Sequence, residues 1–136
     1  MTQIFPPQDD SIFPPLPCYA IIYRAILRKS WIDQRNNRVT SAAFFRRPHD
    51  SGKDLDGLSV NIAAACSVEE VRSSFSECFG VVSLHVGRIR DIGLDVHQNE
   101  PKHANITGLP YQQDDTVNAE RFAGLLAKQA RFVHRI

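Results

Sequence analysis

Three side chains stand where short apolar strands would present reactive groups: Arg24 in "CYAIIYRAIL", Ser59 in "DGLSV" and His103 in "EPKHANITGLP". His103 follows Pro101 and leads into an apolar run that ends in Gly-Leu-Pro. Strand ends are where binding residues tend to project, and histidine exchanges protons near neutral pH. Its chemistry would be that of an acid, a base or an orienting group. Ser59 offers a hydroxyl at a strand. It lacks the G-x-S-x-G context of a nucleophile elbow, and no catalytic triad is legible around it. The structural alternative is that His103 only begins a strand.

Arg24 interrupts an otherwise apolar run. An unpaired charge there would cost several kcal/mol, so it needs a partner. One kind of partner is an internal carboxylate, with Asp54, Asp56 and Glu100 as candidates. The other is an anionic ligand or solvent in a pocket.

The surrounding charge is uneven. Residues 24–47 hold Arg24, Arg28, Lys29, Arg35, Arg38, Arg46 and Arg47 against a single acid, Asp33. Trp31, Phe44 and Phe45 are interleaved with them. Guanidinium forks and aromatic faces suit phosphates, nucleotides and unstacked bases, so Arg24, Arg46 and Phe44 are candidate ligand-binding residues. The bland alternative is a solvated loop balanced by Asp50, Asp54 and Asp56.

Metal chemistry finds no support. The five histidines show no H-x-x-x-H or H-E-x-x-H spacing, and the three cysteines form no C-x-x-C pair. Cys18, Cys66 and Cys78 are expected to be reduced and mostly buried. "GVVSLHVG" is not G-x-G-x-x-G and precedes no helical pattern, which disfavours a Rossmann site.

The elements that must hold these residues follow from periodicity. The 136 residues suit one core, and 43% hydrophobic with 23% charged residues is ordinary for a globular chain. A net charge of +1 gives no global field for nucleic acid or membrane. No run approaches the ~18 apolar residues of a transmembrane helix, and the N-terminus does not resemble a signal peptide, so a cytoplasmic protein is expected. Five of the eight prolines lie in residues 1–17, which predicts an extended arm before a domain at 18–136.

Within that domain, strands are expected at 18–27, around 42–45, at "LSVNIA", at 81–86, near 94–96 and at "HANIT". "SVEEVRSSFSECFG" predicts a helix over 67–79. Ser67 and Glu70 form a capping box, and Gly80 would end the helix in the left-handed conformation. A second helix is expected over 118–132, with Arg131 and Arg135 at its C-terminal dipole. The sum is a compact α+β domain of about five or six short strands and two helices.

Arg24 in "YRAI", Ala43-Phe44 in "SAAFFR", Leu58-Ser59-Val60 in "DGLSV" and His103-Ala104 with Ile106 and Gly108 in "HANITGLP" together resemble a family of small uncharacterised bacterial proteins. The pattern is R-x-I, A-F, L-S-V and H-A-x-I-x-G, spread over residues 22–133. It implies no particular activity. A weaker, fold-level similarity is to ADP-ribosyltransferase-like domains, including RNA 2'-phosphotransferases and RES-type NAD-degrading toxins. That resemblance implies an order Arg24, Ser59, His103 around a bound NAD or other nucleotide, though the family's third-position glutamate is missing unless Glu100 serves. Arg24 would then clamp phosphate, Ser59 position the ribose, and His103 act as acid, base or orienter. The alternative is a non-catalytic module that docks a protein partner, a second copy or nucleic acid through the basic segment 24–47.

Overall fold

A computed structural model describes residues 13–136 of the chain. Most of the expected proline-rich arm, residues 1–12, lies outside the described residues. Its last part does not: Leu16 is buried in the main apolar core.

The architecture is α+β. The strands are β1 (Ile21–Ile26), β2 (Ile32–Asp33), β3 (Arg38–Val39), β4 (Leu58–Ile62), β5 (Gly80–His85), β6 (Asp95–Glu100), β7 (His103–Thr107) and β8 (Arg131–Arg135). The helices are α1 (Val68–Ser73), α2 (Val86–Asp91) and α3 (Thr116–Gln129). Six strands form one antiparallel sheet in the order β6-β7-β4-β1-β5-β8, and β2 and β3 make a small separate ribbon.

Alternation along the strands divides the sheet into two unlike faces. Ile22, Ile26, Leu58, Val60, Ile62, Val82, Leu84, Ala104 and Ile106 share one core with Ala43, Phe44, Val86 and Ile89, beneath Ala123 and Leu126 of α3. On the other face α1 covers only part of the sheet, burying Val71 with Ala25, Cys66 and Val81. The rest of that second face carries Ser59 and Asn61 on β4 and His103 on β7, with Ser59 exposed.

Several local expectations are corrected. The segment expected as a strand near Ala42–Phe45 is a 3-10 turn at Ser41–Phe44. Consecutive Ala43 and Phe44 are both fully buried, which a strand with one solvated face does not allow. The first helix stops at Ser73, because the Ser73 and Ser74 hydroxyls bond back to the carbonyls of Glu69 and Glu70. Gly80 does not cap it. Gly80 opens β5, where an added Cβ would lie 3.0 Å from the His134 carbonyl of β8.

The last helix ends at Gln129. Arg131 and Arg135 belong to the edge strand β8 and not to a helix dipole. Helix α2 was not expected, since Gly87 breaks its pattern. That glycine admits the chain at Cys18, whose carbonyl would lie 2.9 Å from a Cβ there. Cys18 is exposed, in contrast to the expectation for the cysteines, while Cys66 is buried.

The capping box on α1 is complete. Glu70 N–H donates to Ser67 Oγ at 3.1 Å, and Ser67 N–H donates to Glu70 Oε1 at 2.9 Å. Ser67→Ala is therefore expected to cost about 1 kcal/mol, read as a lowered denaturant midpoint with an unchanged slope.

Candidate functional site

Strands β1 and β4 pair at Ile22↔Ile62 and Tyr23↔Asn61. At the next position Arg24 occupies the space beside them. Its Nε donates to the Ala43 carbonyl at 2.7 Å and its Nη1 to the Ser59 carbonyl at 2.8 Å. The rings of Trp31 and Phe44 lie 6.0 and 5.9 Å from the guanidinium carbon. The direct partners of this strand arginine are backbone oxygens, a kind not expected; of the expected kinds, the Asp54 carboxylate acts through space and the side chain lines a cleft. Burial pulls the Arg24 guanidinium down to about 10, while Asp54 raises it and Arg47 lowers it further. It remains a cation at neutral pH.

Arg46 is also a strut. Its Nε and Nη2 donate to the Asp54 carbonyl at 3.1 and 2.7 Å, and its Nη1 donates to the Leu109 carbonyl at 2.9 Å. Nη2 also reaches Leu55 O and Tyr111 Oη, and the guanidinium lies over the Tyr111 ring at 3.9 Å. These donors bind protein, so Arg46 is not the ligand contact that its place in a basic segment implied. Phe44 is fully buried in the core and offers no face to a ligand. The neighbouring Phe45 takes that place on the surface of a cleft.

Arg47 grips the Asp54 carboxylate through Nε at 3.1 Å and Nη2 at 3.2 Å, and its backbone N–H adds a third bond at 2.8 Å. Burial pushes the Asp54 carboxyl up, but these bonds outweigh it and hold the group below its usual range. Asp54 is therefore held at its carbonyl by Arg46 and at its carboxylate by Arg47, which closes loop 47–57 on its own start.

The cleft has a volume of about 530 Å³. Ser59 and Asn61 line it from β4, and Arg24, Arg28, Trp31 and Phe45 line it from the basic segment. Phe75 and Glu77 close the side beyond α1. Arg28 is exposed, and among the described residues no hydrogen bond or ion pair ties down its side chain.

Next to the cleft, three polar side chains form a chain across three strands. Ser59 Oγ lies 2.5 Å from His103 Nε2, and His103 Nδ1 lies 2.6 Å from Asn99 Oδ1. The amide oxygen can only accept, so Nδ1 carries the proton. Nε2 is then the lone-pair nitrogen that faces the serine hydroxyl. Burial lowers the pKa of His103 from its ordinary 6.5, and the charge of Glu100 opposes this. The imidazole is neutral at pH 7 and able to take a proton.

The sequence showed no triad around Ser59; the fold joins Ser59, His103 and Asn99 by two side-chain contacts. Asn99 is the residue missed. Regular pairing of β6 with β7 would set Asn99 opposite His103, but the register shifts between Gln98 and Glu100 and Glu100 takes that place. The bulge re-aims Asn99 toward the imidazole, a recurring use of such irregularities. A faint signal existed: Pro101 and Lys102 form a turn, which brings residues 99 and 103 back toward each other. Glu100 reaches His103 through backbone pairing and charge only. Among the described residues, no group of three or more His, Cys, Asp or Glu could hold a metal ion, and no helix is long and apolar enough to cross a membrane.

Comparison with family models, with curated proteins and with solved structures found no match to this chain. The candidate site stands on its geometry.

Two outcomes follow from these contacts. Arg24→Met removes the donor to the fully buried Ala43 carbonyl and is expected to lower stability by about 1–3 kcal/mol in urea unfolding. His103 binds its proton less well folded than unfolded, so its contribution is present above about pH 6.5 and is lost as pH falls toward the folded pKa. The urea midpoint of His103→Gln should therefore fall less than that of the native chain between about pH 7 and 5.

Proposed function

We propose that the chain is a small enzyme whose cleft binds NAD or another nucleotide-like ligand, with Ser59 and His103 as the reacting pair at its edge. One observation carries the reading. Ser59, in direct contact with a neutral histidine, lines the same cleft as exposed guanidinium and aromatic groups. Pockets of about 300–1,000 Å³ with a few convergent polar groups are the usual form of small-molecule sites.

The roles divide by what each side chain has to spare. Arg28 has no side-chain partner among the described residues and suits a phosphate. Trp31 and Phe45 offer rings against which a base or nicotinamide can stack. Ser59 reaches toward the ribose or the reacting atom. Arg24 lines the cleft as well, and its Nη1 holds the backbone of Ser59 in place. His103 is the general base.

The second reading is a docking module for protein or nucleic acid. The exposure of Arg28, Lys29, Arg35 and Arg38 on one stretch of chain favours it.

A titration separates the two. NAD, AMP, adenosine and inorganic phosphate are added in turn while thermal unfolding is followed. A nucleotide present at ~100 times its dissociation constant is expected to stabilise the fold by about 2.7 kcal/mol. Arg28→Ala and Trp31→Ala should each weaken that effect. Stabilisation by none of the four, together with salt-sensitive retention on a polyanion column, would replace the enzyme reading with the docking module.

A further inference from the structure

We infer that Ser59 is a covalent nucleophile, with His103 as its general base and Asn99 as a positioning residue, for hydrolysis of a carboxylic ester carried by an anionic, ring-bearing molecule. This rests on the cleft reading above for the substrate's non-reacting part, and on the relay itself for the chemistry.

The geometry meets the requirements of an activated serine. Nucleophile and base must lie within hydrogen-bond reach, and a third group must orient the base. Here those separations are 2.5 and 2.6 Å. Ser59 is exposed and lines the cleft, so a carbonyl carbon can approach its oxygen. His103 is half-buried between β4 and β6 and keeps its imidazole neutral. The Ser59 carbonyl is held from behind by the Arg24 cation, which fixes the backbone that aims the hydroxyl. A histidine that served only to begin β7 would need neither the bulge at Asn99 nor a serine at its other nitrogen.

The reaction balances within these groups and water. Ser59 Oγ attacks the ester carbonyl carbon as its proton passes to His103 Nε2. The carbon–oxygen bond to the leaving alcohol then breaks, and the imidazolium gives that alcohol its proton. Water adds to the acyl-serine, loses a proton to His103 and displaces Ser59, which recovers its proton. An ester and water become an acid and an alcohol. The orienting group is a neutral amide and not a carboxylate. It fixes the tautomer but adds no charge to stabilise the imidazolium, so esters with good leaving groups are the expected substrates.

The test uses the intact chain and two probes: p-nitrophenyl acetate, and an organophosphorus fluoride that esterifies activated serines with loss of fluoride. The expected result is one phosphonylated residue, Ser59, located by peptide mass spectrometry, and release of p-nitrophenol. Ser59→Ala should abolish both. His103→Gln should slow labelling about 10²-fold or more. Asn99→Ala should slow it with the label still on Ser59, and Asn99→Asp should restore it, a rescue that a purely structural role would not give. The labelling rate should fall with acid, and its midpoint should lie below the ordinary imidazole value of 6.5 because burial disfavours the charged ring. Urea midpoints of the variants show that each is folded.

Absence of an adduct on Ser59 in a folded chain, equal labelling of other serines, or a rate with no acid limb at any pH where the chain stays folded would overturn the inference. Nucleotide binding is scored separately on the native chain and on Ser59→Ala. Binding without labelling overturns the nucleophile alone. Labelling without binding overturns the nucleotide reading of the cleft and leaves the nucleophile standing.

Discussion

The phase of one five-residue strand governs everything else in the molecule. Along β4, Leu58, Val60 and Ile62 must enter the core, so Ser59 and Asn61 must face away from it. A slip of one residue would drive the serine into hydrocarbon and lift three aliphatic side chains into water. Two contacts hold the phase. Gly57 has a φ of +132° and sits so close to β7 that a Cβ would meet the Ile106 carbonyl at 2.3 Å. No other residue fits there without moving the strand. On the opposite side the Arg24 guanidinium takes the Ser59 carbonyl. The register Ser59↔Asn105 and Asn61↔His103 then sets the hydroxyl diagonally across from the imidazole.

The arginines of the basic segment have divided their work. Arg24 and Arg46 spend their donors on backbone carbonyls of the protein. Arg47 neutralises Asp54, which loop 47–57 would otherwise bury alone. A planar fork with five donors and a weakly hydrated charge suits such use better than an ammonium. Arg28, Lys29, Arg35 and Arg38 are exposed, and so is Arg47 despite its ion pair. Linear charge density is therefore a poor guide to the free cations: Arg24, Arg46 and Arg47 are bonded within the protein.

Periodicity made the scaffold legible. The alternation in "LSVNI", the apolar run through Ile22–Ile26, the capping box at Ser67 and the apolar spacing of Ala119, Phe122 and Leu126 each point to the element that forms. The misses share a cause. Residues 42–45, Gly80, Gly87 and 131–135 owe their conformation to distant neighbours: α3, β8, the carbonyl of Cys18 and β5. Local propensity cannot carry that information. The site was legible in the same measure. Ser59 and His103 stand out at strand positions, and the sheet brings them together. Asn99 becomes a partner only through a register shift, and Arg46 and Phe44 look like surface residues only until their contacts are known.

The hairpin of β6 and β7 also has a kinetic meaning. Asn99 and His103 are four residues apart, and their bond closes within a single turn of chain. Hairpins of this kind form in about 1–10 μs. Ser59 lies 44 residues from His103, and Arg135 bonds to Asn37 across 98 residues. Pairings of such span carry a larger closure entropy and come later in mixed and all-β domains. The imidazole thus acquires its tautomer-setting partner in a local event, before the hydroxyl it faces is delivered by the long-range docking of β4. The order of assembly makes the base ready before the nucleophile arrives.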